Sequence, residues 1–287
     1  MTGPSPGDLA PWVALSLIPG LGARTLDRLL EAFGSLEAIL DAPPDALQTV
    51  PRVGPKTAAA IQAVDLPRTR ADIARWQAAG IAILLHSDAD YPAALKTLDD
   101  PPPVLFRRGA TLPQDDRAIA VVGTRRPSPH ARELAAHLAG ALAARGWTVV
   151  SGLAAGIDAA AHRGALDAGG RTLAVLGSGL TAIYPAHNAR LAARILENGA
   201  LFCETHPEAG PNSPALVARN RLISGLCHAV IVVEAGLQSG SLHAARFARQ
   251  QGRMVFAVDS PAPGNRQLIA DGAQRLVLNR DSTNGLP

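Results

Sequence analysis

The stretch Ile119-Ala120-Val121-Val122-Gly123-Thr124-Arg125-Arg126 is a short apolar run that passes straight into a glycine, a hydroxyl and two arginines. Thr148-Val149-Val150 repeats the arrangement and passes into Ser151-Gly152-Leu153-Ala154-Ala155-Gly156-Ile157-Asp158. Comparable apolar runs recur at 173–176, 201–203, 230–233 and 255–258. Helical patterns occupy 131–145, 157–166, 189–197, 214–226 and 242–251 between them. A strand with one wet face alternates polar and apolar residues; continuous apolar runs separated by helices belong to a parallel sheet covered on both faces. The expected class is α/β, an extended Rossmann-like, doubly wound parallel sheet.

Upstream, residues 67–116 connect this region to the N-terminus. They hold a helical pattern at 70–79, strands at 81–85 and 104–106, and the run Pro101-Pro102-Pro103. Proline fixes an extended approach to a sheet edge, which makes this segment an extension of the main domain. The first 66 residues read as short helices punctuated by two similar turns, Pro19-Gly20-Leu21-Gly22 and Val53-Gly54-Pro55-Lys56. The expected organisation is a small all-helical, SAM-like or helix-hairpin-helix-like domain at 1–66 and the Rossmann-like domain at 67–287. Hairpin turns of this kind offer backbone N–H groups to a nucleic-acid phosphate. They also join ordinary helix pairs, and both readings stay open.

With 287 residues, 47% of them hydrophobic, the chain can bury a full core without disulfides or a structural metal. No apolar run approaches the ~18 residues of a membrane span. Residues 1–11 lack a basic start and an apolar core, so no secretory signal is read there. Cys203 and Cys227 form neither a disulfide framework nor a metal motif. A soluble cytoplasmic protein without metal or cofactor is expected. Before Ile119 there are 11 basic against 14 acidic residues, a net of −3; from Ile119 onward 16 face 10, a net of +6. All 16 are arginine, the side chain best shaped for bidentate phosphate contacts. A codon bias toward arginine explains the same count.

In open parallel sheets ligands bind beyond the carboxyl ends of the strands. There this sequence places Gly123-Thr124-Arg125-Arg126, Ser151-Gly152 with Gly156, Gly177-Ser178-Gly179, and Ser239-Gly240-Ser241. Glycines admit close approach and helix starts supply free N–H groups, so loops converging on one edge make an anion pocket. No Gly-x-Gly-x-x-Gly follows the first strand, no Walker motif occurs, and Lys56 and Lys96 are the only lysines. Three features allow two readings each. Asp158 and His162, four residues apart, are acid–base machinery or a tie between loops. Arg219-Asn220-Arg221, in the middle of the expected helix 214–226, is a phosphate clamp or a structural network with Asp158, Glu204 or Glu234. Tyr184, with Pro185, His187 and Asn188, stacks on a base or packs on the next helix.

Together these motifs closely resemble the DprA/Smf family. The resemblance rests on Val122 to Arg125, Ser151 to His162, Ala174 to Gly179, Tyr184-Pro185, Arg219-Asn220-Arg221, Ser239 to Leu242 and the terminal Asn265-Arg266-Gln267-Leu268-Ile269-Ala270-Asp271-Gly272-Ala273. It implies a non-catalytic protein, commonly a homodimer. Such a protein binds single-stranded DNA on its Rossmann domain and loads the RecA recombinase onto that strand in natural transformation. By matched position Arg125 would be the main phosphate contact. The pocket would be lined by Gly123, Thr124, Ser151, Gly152, Gly177, Ser178, Gly179, Ser239, Gly240 and Ser241. Relatives often carry lysine after the Tyr-Pro pair; this chain has Ala186, so that cation is either missing or moved to His187, Arg190 or Arg126. Relatives often read Phe-Pro-x before Arg-Asn-Arg, where this chain has Leu216-Val217-Ala218. Many also carry a winged-helix domain after the Rossmann domain, for which a chain ending at Asn284-Gly285-Leu286-Pro287 leaves no room. The rival expectation is a phosphoribohydrolase-like nucleotide-processing enzyme that uses Glu234 or Asp158 as acid–base group. Its Pro-Gly-Gly-x-Gly-Thr-x-x-Glu signature is missing from 234–241.

Overall fold

A computed structural model describes residues 8–278. The expectations drawn from the chain's end at 284–287, and most of those from 1–11, lie outside the described residues. The chain forms two compact units. One runs up to residue 91 and includes 96–106; the other comprises 92–95 and the chain from 107 onward.

In the first unit, α1 (Ala10–Ser16), α2 (Ala23–Phe33), α3 (Leu36–Asp41), α4 (Pro44–Leu47), α5 (Pro55–Gln62) and α6 (Leu66–Ala78) precede β1 (Ile81–Leu85). Gly22 and Gly54 are extended residues immediately before α2 and α5, so both expected turns open onto a helix start. Leu15, Leu26, Leu29, Ile39, Leu47 and Ile61 are buried at the centre of the helical cluster. Helix α6 begins earlier than the 70–79 pattern implies, because the Asp65 carboxylate accepts the Arg68 N–H at 2.9 Å and caps it. The short α7 (Ala93–Lys96) and β2 (Val104–Gly109) follow β1. Phe106 meets Trp76 edge-to-face at 5.5 Å.

The second unit is built on β3 (Ala118–Val122), β4 (Thr148–Ser151), β5 (Thr172–Val175), β6 (Ala200–Cys203), β7 (Ala229–Val232), β8 (Met254–Val258) and β9 (Gln274–Leu276). Their order is β6-β5-β4-β3-β7-β8-β9, every pair parallel. Every residue of β3 to β7 is buried, which is why these segments read as unbroken apolar runs. The chain steps outward from β3 through β4 and β5 to β6, then returns to β7 on the other side of β3. The crevice of a doubly wound sheet opens at such a reversal, beyond the carboxyl ends of β3 and β7.

Seven helices cover the sheet: α8 (Pro129–Ala144), α9 (Ile157–Asp167), α10 (Ala189–Glu197), α11 (Ser213–Ala218), α12 (Asn220–Gly225), α13 (Ser241–Gln250) and α14 (Pro263–Ala270), counted over the described residues. A Cβ at Gly164 of α9 would collide with the Ala136 carbonyl of α8, so the two helix backbones touch there. The helix expected at 214–226 is instead two helices meeting at Arg219. The Asn220 side chain donates to the Leu216 and Val217 carbonyls at 3.3 and 3.1 Å, competing with the helical ladder there. Asn265 of α14 is fully buried: it accepts the Ala235 N–H at 2.8 Å and donates to the Val232, Val233 and Val258 carbonyls, bracing the exit from β7. Among the described residues no helix is long and apolar enough to cross a membrane.

Candidate functional site

The loop from β3 to α8 carries the two arginines. Its first turn is pressed against the exit of β7: the Thr124 N–H donates to the Glu234 carbonyl at 2.7 Å, and Gly123 has no room for a side chain between Ile157 and that carbonyl. Ser128 closes the loop by capping α8, accepting the Ala131 N–H at 3.2 Å. Between them Arg125 and Arg126 are exposed, and neither forms an ion pair among the described residues.

The loop from β4 to α9 forms the floor. Leu153 is buried with φ of +55°, a left-handed conformation costly for a branched side chain. It is held from both sides: the Asp158 carboxylate accepts the Gly152 and Ala154 N–H groups at 3.1 and 3.4 Å, and Asn188 donates to the Leu153 carbonyl at 2.9 Å. Gly156 has φ of +84° and packs against the backbone of Thr124 and Arg125, so it holds the arginine loop by contact. Asp158 is therefore a loop tie, and His162 does not pair with it. His162 bonds Thr172 Oγ1 through Nδ1 at 2.7 Å. Thr172 Oγ1 donates its own proton to the Val149 carbonyl, so Nδ1 carries the histidine's proton. Burial, reinforced by Arg219, lowers the His162 pKa to about 3. Burial also raises the Asp158 carboxyl, against the opposing pull of Arg219 and the loop N–H groups.

Arg219 and Arg221 adopt the network arrangement. Arg219 is buried under the floor, donating through Nη1 to the Gly152 and Val175 carbonyls, with Nη2 3.8 Å from Asp158. A Cβ at Gly152 would occupy the guanidinium's position. Arg219 Nε has no hydrogen-bond partner among the described residues. Arg221 pairs with Glu204.

These elements enclose a cavity of about 370 Å³ at the β3–β7 crevice, lined by Gly123, Thr124, Arg125, Arg126, Arg219, Asn220, Ser239, Gly240 and Ser241 of the expected residues. A second cavity of about 180 Å³ shares Arg125 and Arg219 and adds Gly152, Gly177, Tyr184 and His187. Tyr184 is exposed at its rim. Four of the remaining expected residues lie behind the surface. Ser151 donates to the Val121 carbonyl, while Ser178, Gly179 and Asn188 are buried under the loops. Gly156 and Arg221 do not line either cavity. Sequence reasoning missed Leu216 and Gln238, which line the cavities from a helix and a loop without a glycine signature.

Compared with known protein families, residues 82–286 match the one described as DNA recombination-mediator protein A, and residues 14–63 match the SAM-like helix-hairpin-helix tandem. The DNA processing protein DprA of Bacillus subtilis (strain 168) is 39% identical over 249 residues, 84% of each chain. The chain belongs to the DprA/Smf family. A Synechocystis member, Protein Smf, is 37% identical over 279 residues, 93% of this chain and 69% of its own. Among solved structures, DprA from Streptococcus pneumoniae matches with a TM-score of 0.77 at 30% identity over 92% of both chains. The Helicobacter pylori protein, solved for its single-stranded DNA binding mode, matches with a TM-score of 0.63 at 32% identity over 70% of this chain and 92% of its own.

The loops from β3, β4 and β7 thus meet at one crevice, and the geometry separates the three side chains expected to stand in for a lysine at Ala186. Arg126 lines the larger cavity and His187 the smaller. Arg190 is exposed on α10 and lines neither.

Proposed function

We propose that this DprA/Smf chain is a non-catalytic recombination mediator that binds single-stranded DNA across the β3–β7 crevice, shields it and loads RecA onto it during natural transformation and DNA processing. In this reading it acts in the cytoplasm as a homodimer, without metal or cofactor. Residues 67–287 carry the strand and residues 1–66 form the helical module. The observation that supports it most is the pair Arg125 and Arg126: exposed, without acidic partners among the described residues, above a floor of glycines and hydroxyls. Exposed guanidinium groups beside the Thr124, Ser239 and Ser241 side chains suit a phosphodiester chain and read little sequence. The single-stranded DNA binding mode of the H. pylori relative supports the same ligand. Both carboxylates offered as the rival enzyme's acid–base group, Asp158 or Glu234, hold loop N–H groups.

The test is fluorescence anisotropy with labelled single- and double-stranded oligonucleotides at several salt concentrations. Preference for the single strand, with affinity falling steeply as salt rises, is expected. No binding to either form at low salt would contradict the proposal. Release of free base from nucleoside monophosphates would then establish the phosphoribohydrolase-like alternative.

A further inference from the structure

Glu234 follows β7 at the switch point and touches the arginine loop twice. Its carbonyl accepts the Thr124 N–H at 2.7 Å. Its Oε2 accepts both the Ser128 N–H at 3.0 Å and the Ser128 hydroxyl at 2.9 Å. One residue therefore pins both ends of the stretch 124–128, and the two side chains lifted between the pins are Arg125 and Arg126. Ser128 is also the cap of the 16-residue α8, so the carboxylate sits at the positive end of that helix dipole.

Two effects of this arrangement oppose each other. A carboxylate beside the path of a polyanion repels it, so charge alone makes Glu234 a hindrance to DNA binding. Holding 124–128 in one conformation spares the strand the cost of ordering the backbone that carries the two arginines, which favours binding. Ser128 needs an acceptor from Glu234, not specifically a negative charge, so the two effects can be separated chemically.

We infer that Glu234 is a positioning residue for Arg125 and Arg126, acting through its hold on Ser128. The inference rests on the single-stranded DNA reading for its functional consequence, and on the hydrogen bonds alone for its structural one. It is tested on the full chain with Glu234→Gln and Glu234→Ala, by anisotropy on a labelled single-stranded oligonucleotide and by hydrogen–deuterium exchange of the 124–128 amides. Glu234→Gln keeps an amide oxygen for Ser128 and loses the charge. It is expected to bind at least as tightly as the unaltered chain, with exchange unchanged. Glu234→Ala is expected to bind about fivefold more weakly with a flatter salt dependence, and its 124–128 amides exchange faster. In an Arg125→Ala, Arg126→Ala background, Glu234→Ala is expected to cause no further loss.

Tighter binding by both variants to the same degree would reduce Glu234 to a repulsive charge and overturn the inference. Unchanged exchange in Glu234→Ala would overturn it as well. Equal weakening by both variants, with a common drop in thermal stability, would show a folding role alone. Failure of the unaltered chain to bind single-stranded DNA would instead overturn the ligand reading. The exchange comparison would then decide by itself whether Glu234 holds the loop.

Discussion

The two ends of the parallel sheet each bury an arginine, and they treat it differently. At the amino end Arg171 is almost fully enclosed, its side chain 4% exposed. Nε and Nη2 grip the two oxygens of Asp115 at 2.6 and 2.8 Å, and Nη1 donates to the Asn198 carbonyl at 3.1 Å. Thr148 completes that carboxylate at 3.1 Å. At the carboxyl end Arg219 stands 3.8 Å from Asp158 and leans on carbonyls; among the described residues its Nε has no partner, and Arg125 and Arg126 meet no acid. The lesson is that arginine content does not mark a binding site. What marks the carboxyl end is that Arg125 and Arg126 stand exposed at the crevice and meet no acid among the described residues.

The contrast is broken most forcefully at the closed end. Arg171→Ala takes the guanidinium from the half-buried Asp115, leaving it only the Thr148 hydroxyl and the Leu112 N–H, and is expected to cost about 3 kcal/mol of stability, measured by urea unfolding. DNA affinity per folded molecule should stay unchanged. At the open end Gly156→Ala meets both a left-handed φ and the Thr124 carbonyl. It is expected to cost about 2 kcal/mol and, unlike Arg171→Ala, to weaken single-stranded DNA binding as well, which a paired melt and anisotropy titration would show.

The smaller effects sharpen the comparison. His162 has a folded pKa of about 3, well below the ordinary value of about 6.5. Below pH 6.5 the unfolded chain takes up a proton that the folded chain refuses, so stability falls as pH drops toward 3. The expected loss from this one group is about 1 kcal/mol between pH 6.5 and 5.5. A His162→Gln chain that shows the same pH slope would contradict the assignment. Tyr184→Ala, at the rim of the smaller cavity, is expected to lose about 1 kcal/mol of single-strand affinity through lost stacking, with an unaltered melting temperature.

Much of this comparison was legible in the sequence where burial is total. The strand runs 148–150, 201–203 and 255–258 fall inside β4, β6 and β8, because a strand buried on both faces has a composition that nothing else in the chain shares. The loops converged as expected because the ends of parallel strands lie along one edge. What periodicity does not carry is which way a polar side chain turns. Ser151 and Ser178 sit in glycine loops and read as ligand contacts, yet Ser151 turns inward to the Val121 carbonyl and Ser178 is buried. The break at Arg219 was hidden for a similar reason. Its cause is a side-chain bond from Asn220 to carbonyls of the preceding turn, and an apolar pattern continues across it undisturbed.

The most direct measurement compares the salt dependence of single-stranded DNA affinity in the unaltered chain and in the Arg125→Ala, Arg126→Ala double variant. If these two side chains are the phosphate contacts of the open end, the slope of log K against log salt should flatten by about 1.4, with stability unchanged. A double variant that folds normally and keeps both the affinity and the slope would contradict the account.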